Sequence, residues 1–317
     1  MATFDLLHIA ALIGTAALLF FLSTPLLSVY RLFLRPGKKL RNYGQYAIVT
    51  GATDGIGRAY AFQLAKQGMS LLLVSRTQEK LNETEAAIKQ RHPKAIVKTY
   101  MLDMAQFDEA AQQAFTHYLD THKLDVGVLL NNVGFSYSHP DYFDKLARSS
   151  VQQLIELNVT ATTLMTHILL PYMIKKRKGC IVNVASFAAI VPSPLLSQYS
   201  ASKAYINNLT SGLSYEYADK GIRFQAQCPL FVTSKLSKIR TATLATPSPD
   251  TYAAAGIKAF GYEVISIPYW PHALQHRLIQ LIPEPLQARI IKAIHTGIKL
   301  KAIKKKEREA NAQGKTE

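Results

Sequence analysis

Tyr199-Ser200-Ala201-Ser202-Lys203 sets a phenol and an ammonium four residues apart. On a helix they share one face, one turn from each other. An isolated phenol titrates near pH ~10 and is a poor acid–base group at neutral pH. Positive charge beside it favours phenolate and lowers that pKa. Ser186 ends an apolar run and can hydrogen-bond a carbonyl or alkoxide oxygen. Asn158 sits mid-helix, where it could hold a water that links Lys203 to solvent. Singly, each has an ordinary reading as a chance helix pair, a turn serine or an exposed amide. Together, in this order, they describe proton transfer at a polarised oxygen.

A second constellation lies upstream. Thr50-Gly51-Ala52-Thr53-Asp54-Gly55-Ile56-Gly57 separates a short apolar run from a stretch of helical periodicity. Gly51 permits a tight turn, Gly55 lets backbone N–H groups approach a pyrophosphate, and Gly57 allows close helix–strand packing. Dinucleotide sites usually place an acid after the second strand, for the ribose hydroxyls. Here the pair is Ser75-Arg76. A guanidinium grips a 2′-phosphate in two places, so the cofactor expected is NADPH, with Arg58 assisting. An oxidised nicotinamide would add its positive charge beside Tyr199. Asp54, an acid close to the phosphates, has no benefit readable from sequence.

These residues need a scaffold. Expected strands are Tyr46–Thr50, Ser70–Val74, Ile96–Leu102, Val126–Leu130, Cys180–Ala185 and Ile222–Gln227. Expected helices are Ile56–Lys66, Gln78–Arg91, Phe107–Thr121, Ser150–Lys176 and Gln198–Tyr217. Alternating units with short links predict an α/β fold with a Rossmann-type, doubly wound parallel sheet.

The order TGxxxGIG, Asn131-Asn132-Val133-Gly134, Asn158, Ser186 and Tyr199/Lys203 resembles the short-chain dehydrogenase/reductase family over residues 45–235. The resemblance implies hydride transfer from NAD(P)H to a carbonyl, with Tyr199 as proton donor. Lys203 would bind the ribose and tune Tyr199. Ser186 would orient the carbonyl, and Asn158 would hold a proton-relay water. It implies a cofactor set of Gly51, Asp54, Gly55, Ile56, Gly57, Arg58, Arg76, Asp103, Asn131, Tyr199, Lys203, Val232 and Thr233. Asp103 would touch the adenine, Asn131 would steady the central strand, and Thr233 would meet the nicotinamide amide. Val133 replaces the family's commoner Ala, and Pro229-Leu230 its usual Pro-Gly. More narrowly, GATDGIGRAYAFQLAKQG, LLLVSRT, NNVGFSYSHPDYF and PLFVTSKLSKIR are similar to very-long-chain 3-oxoacyl-CoA reductases, grouped with 17-beta-hydroxysteroid dehydrogenases of types 12 and 3. That implies reduction of 3-oxoacyl-CoA in fatty-acid elongation at the endoplasmic reticulum, with a steroid ketone as the sibling substrate. The implied companions are other elongation enzymes or a second copy of the chain.

The net charge of +16 over 317 residues raises the question of nucleic acid. Its distribution answers it. Residues 31–41 hold five basic and no acidic side chains, and residues 289–317 hold nine basic against three acidic. The long middle is close to an ordinary surface, so a nucleic-acid partner is not expected. Two cysteines make no disulfide framework, and no Cys/His cluster suggests a metal. Leu6 to about Ser28 is apolar and spans ~35 Å as a helix, enough for a bilayer core of ~30 Å. A cleaved signal peptide would want basic residues before a shorter core. The expectation is therefore a transmembrane anchor over 1–30 and a basic linker over 31–44, with the rest of the chain on the cytosolic side. The NADP-binding reductase domain is expected over 45–283. Within it, residues 230–283 form an apolar substrate lid that holds Phe231, Tyr252, Phe260, Tyr262, Tyr269 and Trp270; core packing is the competing reading of these aromatics. Residues 284–317 read as a basic amphipathic helix for a membrane interface, or else a solvated tail. A non-catalytic NADPH-binding scaffold is the alternative of another class, and loss of Tyr199, Lys203 or Ser186 would have favoured it.

Overall fold

The computed structural model describes residues 6–313 of a chain that divides into two units, residues 1–37 and 38–317. Residues 1–5 of the expected anchor and 314–317 of the expected tail lie outside the described residues.

In the first unit, α1 (Leu6–Val29) runs into a π-helical turn over Tyr30–Leu34. An apolar stretch of the helix over His8–Leu34 reaches a mean hydropathy of 2.0 and is not buried among the described residues, so the helix is long and apolar enough to cross a membrane. Pro25 lies inside it and removes one backbone donor.

The second unit is built on seven parallel strands in the order β3-β2-β1-β4-β5-β6-β7. They are β1 (Tyr46–Thr50), β2 (Ser70–Ser75), β3 (Val97–Met101), β4 (Val126–Asn131), β5 (Gly179–Val184), β6 (Ile222–Gln227) and β7 (Ile265–Ser266). The central strands are continuous apolar runs because both faces are covered. On one face α2 (Gly55–Lys66) packs Tyr60 and Leu64 against the sheet. On the other, Phe115 of α4 (Glu109–Thr121) and Leu169 of α6 (Ala161–Lys176) fill the core. The edge is completed by α3 (Gln78–Arg91). Strand order reverses between β1 and β4, which opens a crevice at the carboxyl ends of those strands.

One region differs from expectation and two others gain detail. The long helix expected over 150–176 is α5 (Arg148–Ile155), a π-helical turn at Glu156–Thr160 that carries Asn158, and then α6. The segment expected as a lid holds α8 (Pro249–Ala259), β7 and α9 (Trp270–Gln280). Its aromatics divide: Tyr252 and Phe260 are fully buried against Tyr60, while Phe231 and Trp270 stay 42% and 38% exposed. Tyr252 and Phe260 are therefore core, because α8 packs back onto α2. Last, α10 (Glu284–Gln313) is held to the domain. His295 Nδ1 lies 2.6 Å from the Pro194 carbonyl, and Lys299 pairs with Asp141. Two of the five linker cations also serve the domain. Lys38 donates to the Gly261 carbonyl at 2.6 Å, and Arg41 to the Gly68 carbonyl at 2.7 Å.

Candidate active site

The glycine turn joins β1 to α2. Gly51 and Gly55 have φ of +63° and +52°, conformations that cost a side chain energy. A Cβ on Gly57 would run into Asn132 Nδ2 and the Gly51 carbonyl. The contact is deliberate, since Asn132 Nδ2 donates to the carbonyls of Thr50 and Gly51 at 3.2 and 3.3 Å. Thr50 Oγ1 accepts from the N–H groups of Asn132 and Val133 at 3.0 and 3.2 Å. The ends of β1 and β4 are thus tied across the crevice.

Asp54 gains a role that the sequence hid. Its carboxylate caps α2 by accepting from Gly55 N at 2.8 Å, and it pairs with Lys235 at 2.8 Å. Burial works to raise its pKa, but Lys235 and the Gly55 N–H outweigh burial and hold it below the usual range. The first turn of α2 carries no acidic side chain. Arg76 is exposed just past β2, beside Ser75, whose hydroxyl meets that of Thr53 at 3.0 Å. Arg58 stacks over Phe62, 4.9 Å from the ring centroid. Asp103 caps the turn after β3 by accepting from Ala105 N at 3.0 Å.

Asn131 and Asn132 face opposite ways, as neighbours at a strand end must. Asn131 Nδ2 donates to Thr166 Oγ1 and Asn183 Oδ1, and Asn183 donates in turn to Thr210. This buried ladder ties α6, β4, β5 and α7 (Ser197–Glu216) together. The side chain that stitches the glycine turn is Asn132, which sequence reasoning passed over although it stands in the same Asn-Asn-x-Gly motif.

Ser186 follows β5 and is braced by the backbone bonds Ala185 N to Gln227 O and Phe187 N to Pro229 O. Its hydroxyl faces the Tyr199 phenol. Tyr199 opens α7, and Lys203 lies one turn on, its ammonium 6.0 Å from the Tyr199 ring centroid. Lys203 is 5% exposed and donates to the Val184 carbonyl at 2.9 Å. Burial lowers its pKa to about 8. The expected lowering of the Tyr199 pKa is not what this geometry gives. Burial raises it, against the opposing hydrogen bond from Ser186. The phenol is therefore held protonated at neutral pH, the state that a proton donor needs.

Asn158 is fully buried, and both ends of its amide are occupied. Oδ1 accepts from Phe135 N at 2.7 Å, and Nδ2 donates to the Phe135 carbonyl at 3.0 Å and to Ser202 Oγ at 2.9 Å. Ser202 Oγ bonds the Tyr199 carbonyl at 2.7 Å. The Tyr137 hydroxyl accepts from Tyr199 N at 3.4 Å. Asn158, Ser202 and Tyr137 together lock the start of α7 against the loop after β4. Tyr137 and Ser202 were missed, because nothing in their spacing marks them until the two segments meet. Beyond β6, Val232 is buried, and its carbonyl accepts from Ser237 Oγ at 2.6 Å. Thr233 N donates to the Pro247 carbonyl at 3.0 Å. Leu230, in place of the usual Gly, keeps a negative φ, and its N–H meets His272 Nδ1 at 3.3 Å.

A short chain dehydrogenase family model matches residues 45–245, which include the glycine turn, Ser186, Tyr199 and Lys203. The chain belongs to the short-chain dehydrogenase family. Among curated members it is 39% identical over 299 residues to a very-long-chain 3-oxoacyl-CoA reductase of Coprinopsis cinerea, covering 90% of this chain and 87% of that one. It is 37% identical to hydroxysteroid dehydrogenase-like protein 1 of Gallus gallus, over 77% of this chain and 74% of the other. A solved short-chain dehydrogenase from Sphingobium yanoikuyae, in complex with NADPH, superposes with a TM-score of 0.64 at 26% identity, over 74% and 92% of the two chains. The dehydrogenase fold and the meeting of Tyr199, Lys203 and Ser186 at its crevice make this a candidate active site.

Proposed function

We propose that this chain reduces the 3-oxo group of a long fatty acyl-CoA to the 3-hydroxy group, using NADPH. What carries the reading is the protonated Tyr199 beside Ser186 and Lys203 in a chain 39% identical to a very-long-chain 3-oxoacyl-CoA reductase over nine-tenths of its length. The residues present fit the dinucleotide. A Cβ on Gly55 would meet only Ser234 Cβ, at 3.8 Å, the first turn of α2 carries no acidic side chain, and Arg76 stands past β2 where a 2′-phosphate would lie. Gly51, Asp54, Gly55, Ile56, Gly57 and Arg58 would form the phosphate turn. Asp103, Asn131, Val232 and Thr233 would support the adenine and nicotinamide ends. When bound, NADPH supplies the hydride. Ser186 donates a hydrogen bond to the substrate carbonyl and holds it within reach of Tyr199. Tyr199 gives its proton to the oxygen as negative charge develops there. Lys203 steadies the phenolate left behind, and its ammonium binds the ribose. Asn158 keeps the loop after β4 pressed against α7, and the second lone pair of its Oδ1 is the place for a relay water.

The setting proposed with this activity is the endoplasmic reticulum membrane. In this reading α1 spans the bilayer, with the domain on the cytosolic side and the linker cations near anionic headgroups. Trp270, Leu274 and Leu278 form an exposed stripe on α9, continued by Leu281 just past its end, and Leu286, Ile290 and Ile294 form another on α10. Basic residues follow that second stripe, as an interfacial helix requires. Purified protein in detergent, given NADPH and 3-oxoacyl-CoA of several chain lengths, tests the substrate. Turnover of a 17-keto steroid with none of any thioester would replace it with the steroid reading. Tyr199→Phe should abolish turnover and leave NADPH binding intact.

A further inference from the structure

The loop after β4 does more than brace α7. Beyond Tyr137 it continues through Ser138, His139 and Asp141 to Tyr142, and α10 lies along it. Lys299 pairs with Asp141 at 2.5 Å, and His139 Nε2 lies 3.7 Å from the other oxygen of the same carboxylate. Lys292 and Lys299 both stand over the Tyr142 ring, 6.0 and 5.1 Å from its centroid. Lys292, Lys299 and Lys306 are spaced by seven, so they form one row on the helix face that meets this loop. Lys306 falls about 10.5 Å further along the axis than Lys299. The segment after β6 adds Lys238, whose charge reaches His139. Burial first, and then the positive charge of Lys306, Lys238 and Lys299 around it, lowers the His139 pKa against the opposing pull of Asp141. Three stretches of chain thus bring cations to one place, where the acid that His139 faces, Asp141, is already bonded to Lys299.

That place is on the same loop that braces the start of α7 through Tyr137. His139 is two peptide units from Tyr137, about 7.6 Å of chain at most, and Tyr137 touches the backbone of Tyr199. A CoA thioester carries a pyrophosphate and a 3′-phosphate at the far end of its pantetheine arm, whereas a steroid carries neither. We propose that Lys238, Lys306 and His139 form the binding site for the phosphates of the CoA moiety, so that this rim selects acyl-CoA over an uncharged ketone. The proposal rests on the acyl-CoA reading given above. It assigns the C-terminal helix a part in substrate binding.

The test compares one 3-oxoacyl group carried on CoA and on pantetheine, which has the arm without the phosphates. The full chain in non-ionic detergent should show a KM for the pantetheine ester about tenfold or more above that for the CoA ester, with similar kcat. Lys238→Glu and Lys306→Glu should each raise the KM for the CoA ester about tenfold and leave the pantetheine ester unchanged. Unaltered NADPH binding and melting temperature would show that both variants fold. Equal KM values for the two esters in the wild type would overturn the proposal and leave the acyl-CoA reading standing. So would variants that raise both KM values alike. Turnover of neither ester would overturn the acyl-CoA reading, and this proposal with it.

Discussion

Replacing Asn158 with Ala tests the link between the fold and the site. The side chain satisfies three buried or half-buried groups: the N–H and the carbonyl of Phe135, and the Ser202 hydroxyl. A buried polar group that loses its partner costs about 1–3 kcal/mol. Phe135 is only half-buried, so water recovers part of the loss, and Ser202 keeps its bond to the Tyr199 carbonyl. Taking the lower end for each group gives about 3 kcal/mol. In a domain of this size each kcal/mol moves the melting temperature by about 2–4 °C, so Asn158→Ala should melt at least about 6 °C below wild type. The assay is thermal unfolding in detergent, followed by turnover measured well below the melting point of the variant. The start of α7 loosens in the folded variant, so kcat per folded molecule should fall as well. A melting temperature within 2 °C of wild type (roughly 1 kcal/mol or less), with kcat unchanged, would refute both the clamp and the relay role.

Arg76→Ala should raise the KM for NADPH by about tenfold or more and leave that for NADH almost unchanged, because only the former has a 2′-phosphate; equal effects would reject the contact. His272, whose pKa burial lowers to about 4, stays neutral while accepting from Leu230 N. The unfolded chain takes up that proton near pH 6.5, so stability should fall as pH drops from there toward 4, by about 2 kcal/mol at pH 5. Denaturant curves at pH 7 and 5 should show that loss, and His272→Gln should remove most of it. Trp270 is the sole tryptophan of the sequence, so its fluorescence in nanodiscs of bromine-labelled lipid reports on α9 alone. Strong quenching is expected, and emission unchanged from unlabelled lipid would place that stripe away from the bilayer.

The parts legible in the sequence were those whose cause is local. The runs Tyr46–Thr50 and Ser70–Val74 had to be buried strands, and Tyr199 and Lys203 had to share a helix face. The rest depends on partners distant in the chain. The π-helical turn at Asn158 leaves no mark in residue propensity, since it follows from docking onto Phe135. Tyr252 and Phe260 look like any aromatic residues of a lid until α8 is seen lying on Tyr60. The direction of the Tyr199 pKa was misread for a similar reason. The charge of Lys203 is visible four residues away, whereas the burial that raises the Tyr199 pKa comes from the assembled crevice. Asp54 had no evident use because its partner, Lys235, arrives from beyond β6.

The bonds from His295 to Pro194 and from Lys299 to Asp141 impose an order on the making of this protein. The apolar segment is made before the sheet, and β7 ends at Ser266, ahead of α10. Domains fold as they emerge, so the sheet can close while α10 is still inside the exit tunnel. The loop that carries Tyr137 and His139 then has to wait for residues 295 and 299 before its outer side is covered. A nascent chain that has made its sheet thus has an unfinished rim, and the rim is completed only once α10 has followed.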